Sequence, residues 1–359
     1  MLVYLLNVQA IDFKKIEEHV DKTPVSKTHD VKLLSDYLTH KFKRQDEKFA
    51  AIYFWIAKNI DYDVKNRYSN PVYKDIKEII AEVMKSKKGV CQHYSELFHE
   101  LSRLAGLTSF VVNGYGKEFG KVMNLAHAWN VVRVDGNYYL IDATWGAGHI
   151  NPQGKYVRDF SLEYFMVKPK DFINDHISFD PMWQLLERPL FYEEFENGIN
   201  YQRSRPKFHY ADTIAHYSKQ AKIQQVKSTI RRIEQNGKAN ALVKFELDFQ
   251  KETLRILEYN KEVENFNKAN LHYNTAVTQL NEFYELKRKK IHDNSISLKQ
   301  LNDKLSEIET NLFKAKNLYK STNAVNNALS GNLKKAQANV LKFEKIVKQQ
   351  KTWLNGLAN

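Results

Sequence analysis

The sequence predicts an α+β domain, in which a cysteine-bearing helix packs on an antiparallel sheet, followed by a long helical antiparallel coiled-coil arm. Three observations indicate this class. Apolar residues recur with helical spacing up to residue 106 and then alternate as they do in strands. All the prolines and most glycines are confined to the first 206 residues. Beyond them, apolar residues follow heptads, which is typical of coiled coils.

The composition changes near residue 207. All seven prolines lie at or before Pro206, and only three of the 13 glycines follow it. Residues 207–359 carry 27 Lys and Arg against 15 Asp and Glu, whereas residues 1–206 carry 28 and 27. A chain of 359 residues exceeds one typical domain. We therefore predict two domains, at 11–206 and 207–359, of which the second is basic.

The first ten residues resemble part of an export signal. They contain an apolar run at residues 2–6 and a small-residue pattern at residues 8–10, but no basic start. We interpret residues 1–10 as a clipped signal peptide, which predicts a periplasmic or secreted bacterial protein. The alternative is a buried segment of a cytoplasmic protein. No apolar stretch approaches the roughly 18 residues that span a membrane, so the chain is not expected to cross one.

Helices dominate before the sheet. Residues 11–88 are predicted to be mainly helical, including the buried-helix pattern AAIYFWIAKNI and a short helix at 75–84. The next helix is GVCQHYSELFHELSRLAG, residues 89–106, whose apolar residues recur every three or four positions until Gly106. It contains Cys91, the only cysteine of the chain.

Cys91 occupies the first turn of its helix. The helix dipole favours a thiolate there, and the thiolate is the nucleophilic form. The alternative is a packing role, because free cysteine is among the most buried residue types. A single cysteine excludes an intramolecular disulfide framework and a cysteine-rich zinc site.

Three strands follow the cysteine helix. The alternating segments lie at 108–116, 125–134 and 137–145. Asp135-Gly136 separates the last two segments, and this dipeptide is a strong signal for a two-residue hairpin turn. The second and third strands are therefore predicted to pair as an antiparallel hairpin.

The register of this hairpin predicts a close pair of polar side chains. With Asp135-Gly136 at the turn, Val134 faces Asn137, and His127 and Asp142 become diagonal neighbours on one face. An imidazole oriented by a carboxylate is the base that a thiol nucleophile needs. The alternative is that two polar residues share a face by chance.

Two heptad seams predict the arm. Apolar residues dominate one seam from 242 to 291, and its positions include Phe245, Phe249, Ile256 and Val277. They also dominate a second seam from 298 to 354, in which only Thr322, Asn326 and Gln350 are not apolar. Residues 292–297 between them predict a turn and a helix cap. We expect two long helices that pair as an antiparallel hairpin, with a shorter helix at 223–235 as the third helix of the arm.

The arm offers surfaces for partners. Its seams predict self-association or the binding of another protein. Lys287, Arg288, Lys289 and Lys290 form a basic cluster near the hairpin turn, which predicts contact with an anionic surface. The alternative is a solvated helix exterior. Nucleic acid is not favoured, because no zinc finger, RNA-binding motif or phosphate-binding loop accompanies the cluster.

Three sequence blocks carry a family resemblance: GVCQHYSELFHELSRLAG, NLAHAWNVVRVDGNYYLIDATWGAG and YFMVKPKDFINDHISFDPMWQLL. They resemble the transglutaminase-like superfamily over residues 45–195, and within it the kyphoscoliosis-peptidase-like branch with its bacterial relatives. The resemblance implies a papain-like α+β core with a Cys-His-Asp triad. Cys91 matches the nucleophile, His127 the base and Asp142 the carboxylate that orients it. His176, in the last block, is expected to be structural.

The cleft around the triad is expected to include four side chains: Gln92, His93, Trp129 and Trp145. The alternative for the two tryptophans is core packing, and the alternative for His93 is an exposed position on the helix surface. His93 stands where the family usually has glycine. The backbone N–H of Cys91 is the natural first donor to an oxyanion. The candidates for a side-chain donor are Trp55 and Gln92.

The function that the resemblance implies is a thiol-dependent acyl-transfer enzyme acting on protein or peptide amides. With water as the acceptor it is a cysteine peptidase, which the resembled branch favours. Two alternatives stay open: a non-catalytic binding or scaffolding module with a coiled-coil interaction arm, and a protein-glutamine transglutaminase or deamidase. We expect no cofactor and no metal, since the chain has no Asp-rich loop of the calcium-binding kind.

Overall fold

The computed structural model describes residues 11–69, 75–198, 205–324 and 326–357. The chain divides into two compact units, Met1–Gln250 and Lys251–Asn359. The predicted fold class is confirmed, because the first unit combines helices with an antiparallel sheet and the described part of the second is helical. Within the described ranges, no helix is both long and apolar enough to cross a membrane. The predicted signal segment, 1–10, lies outside the described residues.

Five helices form the first half of the first unit: α1 Phe13–Val20, α2 Val31–Thr39, α3 Gln45–Asn59, α4 Ile76–Ser86 and α5 Cys91–Leu104. Residues Phe49 to Ala57 of α3 are all buried, because apolar side chains cover every side of this helix. The ring of Phe98 on α5 stacks on Phe49 at 5.9 Å. The cysteine helix is thereby anchored in the helical core, as its apolar spacing predicts.

The described residues contain eight strands: β1 Asp61–Tyr62, β2 Lys88–Gly89, β3 Thr108–Glu118, β4 Lys121–Val134, β5 Asn137–Ile141, β6 Gly148–Ile150, β7 Tyr156–Arg158 and β8 His176–Ser178. The three predicted strands correspond to β3, β4 and β5, and the other five were not predicted. The main sheet is antiparallel, in the order β5-β4-β3-β8. Val134 pairs with Asn137, so the predicted hairpin register is confirmed. The third predicted strand, 137–145, ends early at Ile141, because Asp142 turns the chain by accepting the backbone N–H groups of Thr144 and Trp145.

Four more helices complete the first unit up to residue 235: α6 Pro169–Phe172, α7 Tyr192–Asn197, α8 Tyr210–Tyr217 and α9 Lys222–Gln235. α8 and α9 lie beyond the predicted border at 206/207, yet Ile214 and Ile233 are buried in hydrophobic clusters of this unit. Arg232 also donates two hydrogen bonds to Asp180, at 2.7 and 2.6 Å. The units divide after Gln250 instead, and α9 is not a helix of the arm.

The remaining helices are α10 Ala241–Asp293, α11 Leu298–Ser321 and α12 Asn327–Gly356. The length of α10 agrees with the prediction. The prediction of a single second helix over 298–354 is wrong, because two helices occupy this range. Ion pairs of 2.7 Å join Lys316 to Glu344 and Lys351 to Glu309, so α11 and α12 run antiparallel. The third helix beside α10 and α11 is therefore α12. Whether these helices supercoil as a coiled coil stays a prediction.

The break between α11 and α12 falls on polar positions of the predicted seam. Thr322 caps the end of α11, and the side chain of Asn326 caps α12 by accepting the Leu329 N–H at 2.8 Å. The buried Glu262 of α10 accepts the Asn323 N–H at 2.8 Å between them. Because capping side chains satisfy the free backbone groups of helix ends, they override the continuity of the heptads.

The buried face of α10 differs from the predicted seam. In the second unit, its buried apolar residues are Ala269, Ala276, Leu280 and Phe283. Val277, a predicted seam position, is 37% exposed. α10 packs against two helices, α11 and α12. The face that it buries is therefore broader than a seam against one partner and is rotated around the helix axis. The early seam positions Phe245, Phe249 and Ile256 are exposed, and self-association through them stays a prediction.

The basic cluster is partly engaged within the second unit. The ammonium of Lys287 donates to Oε1 of Gln350 at 2.8 Å and lies 3.9 Å from the centre of the Trp353 ring. Arg288 pairs with Glu285 one turn earlier. The contact of this cluster with an anionic surface stays a prediction.

Candidate active site

Cys91 is the first residue of α5, and the chain segment that leads into it is tightly packed. The chain enters through β2, where Gly89 pairs with Tyr62 of β1. A Cβ on Gly89 would lie 2.5 Å from the Cβ of His93, so this position requires glycine. His93 also accepts the Val90 N–H through Nδ1 at 3.3 Å. The backbone therefore holds the half-buried thiol at the positive end of the helix.

His127 and Asp142 form a hydrogen-bonded pair. Nε2 of His127 lies 2.6 Å from Oδ2 of Asp142, and both residues are buried. The diagonal contact that the hairpin register predicts is therefore present. The other carboxylate oxygen, Oδ1, accepts the N–H groups of Thr144 at 2.8 Å and Trp145 at 3.1 Å. A carboxylate held at both oxygens fixes the tautomer and orientation of the imidazole.

Burial and charge shift the pKa values of this pair in opposite directions. Burial lowers the pKa of His127, but the charge and hydrogen bond of Asp142, with a smaller contribution from Cys91, raise it to about 10. Burial raises the pKa of the Asp142 carboxyl, but His127 and His176 outweigh it and hold that pKa below its usual range. At neutral pH the pair is an imidazolium and a carboxylate, and the cation neighbours the thiol.

Cys91 and His127 open on the same cleft, which has a volume of about 1150 Å³. Aromatic side chains form much of its wall, including those of Tyr62, Trp145 and Tyr164. Small-molecule pockets usually span about 300–1,000 Å³. The cleft is therefore large enough for several residues of an extended polymer.

Comparison with known proteins identifies the fold family. Residues 32–143 match the family model of the transglutaminase-like superfamily. This segment contains Cys91, His127 and Asp142. The chain contains a transglutaminase-like domain.

Relatives of the transglutaminase-like domain occur in animals. Kyphoscoliosis peptidase of Homo sapiens is 30% identical over 196 residues, which cover 52% of this chain and 29% of that protein. Hillarin of Drosophila melanogaster is 28% identical over 221 residues, which cover 54% of this chain and 26% of that protein. A solved structure described as a TGase is 21% identical over 39% of this chain and 35% of that one, with a TM-score of 0.24, too low to support an argument. The chain matches less than a third of the length of the two named relatives.

Of the four side chains expected in the cleft, Trp145 lines it, with its ring 5.6 Å from that of His127. Trp129 lies 5.9 Å from the same imidazole but is buried in a hydrophobic cluster. Gln92 is exposed and His93 is buried, and both lie outside the described walls of the cleft. The reason is that successive side chains of a helix turn by about 100°, so the neighbours of the thiol face away from its cleft.

The spacing of His127 and Asp142 fits a hydrogen bond better than a tetrahedral zinc site. Ligand atoms of His127, Asp142 and His176 lie within 4.8 Å of one another. Tetrahedral zinc with bonds of about 2.0–2.1 Å separates its ligand atoms by about 3.3 Å. The 2.6 Å between Nε2 of His127 and Oδ2 of Asp142 is too short for that arrangement and indicates a short hydrogen bond between charged groups.

Sequence reasoning missed two residues of the candidate site. Tyr62 lines the cleft together with Cys91, and the pairing of β1 with β2 places it there. His176, expected to be structural, contacts Oδ2 of Asp142 through Nε2 at 3.2 Å. β1 has two residues and β8 has three. Strands this short show no recognisable alternation of apolar and polar residues. Their positions follow from pairing with distant segments.

Proposed function

We propose that the transglutaminase-like domain is a thiol-dependent acyl-transfer enzyme that acts on protein or peptide amides, and that it is a cysteine peptidase. One observation carries this proposal: a buried His127–Asp142 pair with an N–O distance of 2.6 Å stands beside the only thiol, and the thiol and the imidazole share one cleft. A structural salt bridge would not need a thiol at the surface of that cleft.

The residues would divide the reaction as follows. The thiolate sulfur of Cys91 attacks the amide carbonyl, and the carbonyl oxygen takes the negative charge near the Cys91 backbone N–H. The imidazolium of His127 gives its proton to the leaving amine as the carbon–nitrogen bond breaks, which leaves a thioester. Neutral His127 then takes a proton from water, whose oxygen attacks the thioester and releases the acid and the thiolate. Asp142 keeps its charge throughout and holds the imidazole.

The cleft supports a polymeric substrate. Its volume is about 1150 Å³, and its walls include both aromatic and charged side chains. Aromatic walls give contact area to apolar side chains of a peptide at small entropic cost, because these rings have few rotatable bonds. A short amide would leave most of the cleft filled with water.

Alkylation of Cys91 by iodoacetamide between pH 5 and pH 9 tests the activation of the thiol. A thiolate paired with an imidazolium reacts readily near pH 6, well below the ordinary thiol pKa of about 8.5. We expect His127→Ala to slow the reaction at pH 6 by about tenfold or more. His29→Ala removes an exposed histidine elsewhere and should leave the rate unchanged. Equal rates with and without His127 would favour the non-catalytic binding module.

The acyl acceptor needs a second assay. Unfolded casein incubated with the full chain and a fluorescent primary amine distinguishes the outcomes by mass spectrometry. New peptide termini, absent with Cys91→Ser, are expected from a peptidase. Ammonia release with incorporation of the amine would instead identify a transglutaminase, and ammonia release alone a deamidase.

A further inference from the structure

His176 is a buried histidine that the triad chemistry leaves unused. Its side chain is 0% exposed. Nε2 lies 3.2 Å from Oδ2 of Asp142, the oxygen that His127 also contacts. Nδ1 lies 2.6 Å from Oδ1 of Asp175, whose other oxygen accepts the hydroxyl of Tyr164 at 2.8 Å. A continuous chain of hydrogen bonds therefore joins the triad carboxylate to Asp175 on the wall of the cleft.

Counting protons gives the direction of these bonds. Both ring nitrogens of His176 face carboxylate oxygens, and each contact needs one proton. Nε2 of His176 donates to Asp142 when both nitrogens are protonated, and also when Asp175 supplies the proton of its own contact. The remaining arrangement needs a proton on Asp142, which is disfavoured because the pKa of that carboxyl is held below its usual range. The other titratable groups around this ring are His127 and Tyr164, with ring centres 5.5 and 5.6 Å away.

The ring of His176 is held from several sides. Phe172 stacks on it with ring centres 4.2 Å apart, and Trp145 lies at 4.2 Å as well. The backbone is held too, because His176 pairs with Gly116 of β3. A donor fixed in this way can hold the position of its acceptor.

We propose that His176 is a positioning residue of the acyl-transfer site, which holds Asp142 in the orientation that aligns His127, and that Asp175 holds His176 in turn. This inference rests on the proposed function. His176 acts through the carboxylate and not on the substrate. The alternative is that the ring of His176 only fills space between Phe172 and Trp145.

A double-mutant cycle in the full chain separates the two roles. His176→Phe keeps an aromatic ring of similar size and removes both hydrogen bonds. The rate of Cys91 alkylation by iodoacetamide is measured at pH 6.5 in wild type, His176→Phe, Asp142→Asn and the double variant. We expect His176→Phe to lower the rate about tenfold in the wild-type background, because a hydrogen bond to a charge is lost. In the Asp142→Asn background we expect less than about a twofold change.

The pH profile and a rescue variant give independent readouts. Loss of the donor disfavours the ionised form of Asp142, so the acid limb of the alkylation rate should move to higher pH in His176→Phe. His176→Gln keeps an N–H donor and should retain more of the rate than His176→Phe, although it loses the ring. A purely space-filling role predicts the reverse order.

Two results would overturn the proposal: a wild-type rate in His176→Phe, or the same loss in both backgrounds. If thermal melting shows that His176→Phe does not fold, Asp175→Asn is used in the same cycle, because its side chain is 31% exposed. It should cause a smaller loss in the wild-type background and none with Asp142→Asn. Failure of the proposed function is distinguishable, since wild type would then react no faster than His127→Ala.

Discussion

Asp142 is a fully buried carboxylate whose oxygens are all engaged. Oδ1 accepts the backbone N–H groups of Thr144 and Trp145, and Oδ2 is shared by the imidazoles of His127 and His176. Removing one partner of a buried pair commonly costs about 3–5 kcal/mol. At the scale of residues, the site therefore depends on keeping this one charge satisfied.

The His127–Asp142 pair should make stability depend on pH. The pKa of His127 is raised to about 10, so its contribution is complete below its unfolded pKa of about 6.5 and is lost as the pH rises through about 10. The stabilising contribution of Asp142 has the opposite pH dependence. Because the pKa of its carboxyl is lowered, this contribution is present above about pH 3.9 and is lost as the pH falls. We expect the difference in free energy of unfolding between wild type and His127→Ala to shrink by about 3 kcal/mol between pH 6 and pH 9.

Urea denaturation at the two pH values measures this difference. His29→Ala should show the same difference from wild type at both values, because His29 is exposed. A gap for His127→Ala that stayed constant from pH 6 to pH 9 would contradict the raised pKa.

At the scale of elements, β3 packs very closely between β4 and β8 at the site. Gly114 pairs with His127 of β4 on one side and with Ser178 of β8 on the other. A Cβ on Gly114 would lie 2.1 Å from the carbonyl oxygen of Ile177 and 2.4 Å from the Trp129 ring. The sheet can bring β4 and β8 together around Asp142 only because this position has no side chain.

Gly114→Ala should therefore destabilise the domain by about 2 kcal/mol or more, because the backbone of β8 must move. Gly331→Ala is the matched control, since a Cβ in this exposed turn of α12 meets nothing within 4 Å. It should stabilise the chain by up to about 1 kcal/mol, as alanine favours a helix over glycine. Urea denaturation of both variants checks the prediction, and losses of equal size would refute it.

The helices of the second unit depend on a continuous buried face. Leu312 of α11 is 3% exposed, whereas its neighbour Phe313 is 66% exposed. Leu312→Asp should lower the free energy of unfolding by several kcal/mol, because it buries an unpaired charge. Phe313→Asp should change it by less than about 0.5 kcal/mol. Helicity followed by circular dichroism during thermal melting compares the two, and similar melting would mean that the packing of α11 is wrongly assigned.

At the scale of the whole molecule, the change in composition does not coincide with the change in packing. Prolines end at Pro206, but Ile214 and Ile233 bury their side chains in the first unit. The pair between Arg232 and Asp180 joins α9 to the segment that follows β8. Two helices with the composition of the arm are thus part of the first unit.

Arg232→Ala tests this assignment. Arg232 and Asp180 are 11% and 6% exposed, so the variant leaves a nearly buried carboxylate without its partner and should cost about 3 kcal/mol or more. Arg231→Ala, at the exposed neighbouring position, should cost less than about 0.5 kcal/mol. Tryptophan fluorescence reports melting of the first unit, because Trp55, Trp129 and Trp183 are buried there. An independent domain beginning at residue 207 would instead leave that melting unchanged in both variants.

Sequence alone determined the features that depend on near neighbours. The spacing of apolar residues predicted the cysteine helix and the length of α10, and the Asp135-Gly136 turn set the register that brings His127 to Asp142. These follow from 3.6- and two-residue periods and from turn chemistry, all of which act over a few residues.

Only the tertiary structure decided which surfaces meet. It placed His176 on Asp142, packed α8 and α9 on the first unit, and broke the second seam where Glu262 of α10 meets Asn323. Each of these depends on segments distant in the chain, and a hydrophobic pattern says that a face is buried without saying against what. Polar seam positions were visible in the sequence. Their use as helix caps was not, because capping competes with packing and the balance depends on the partner helix.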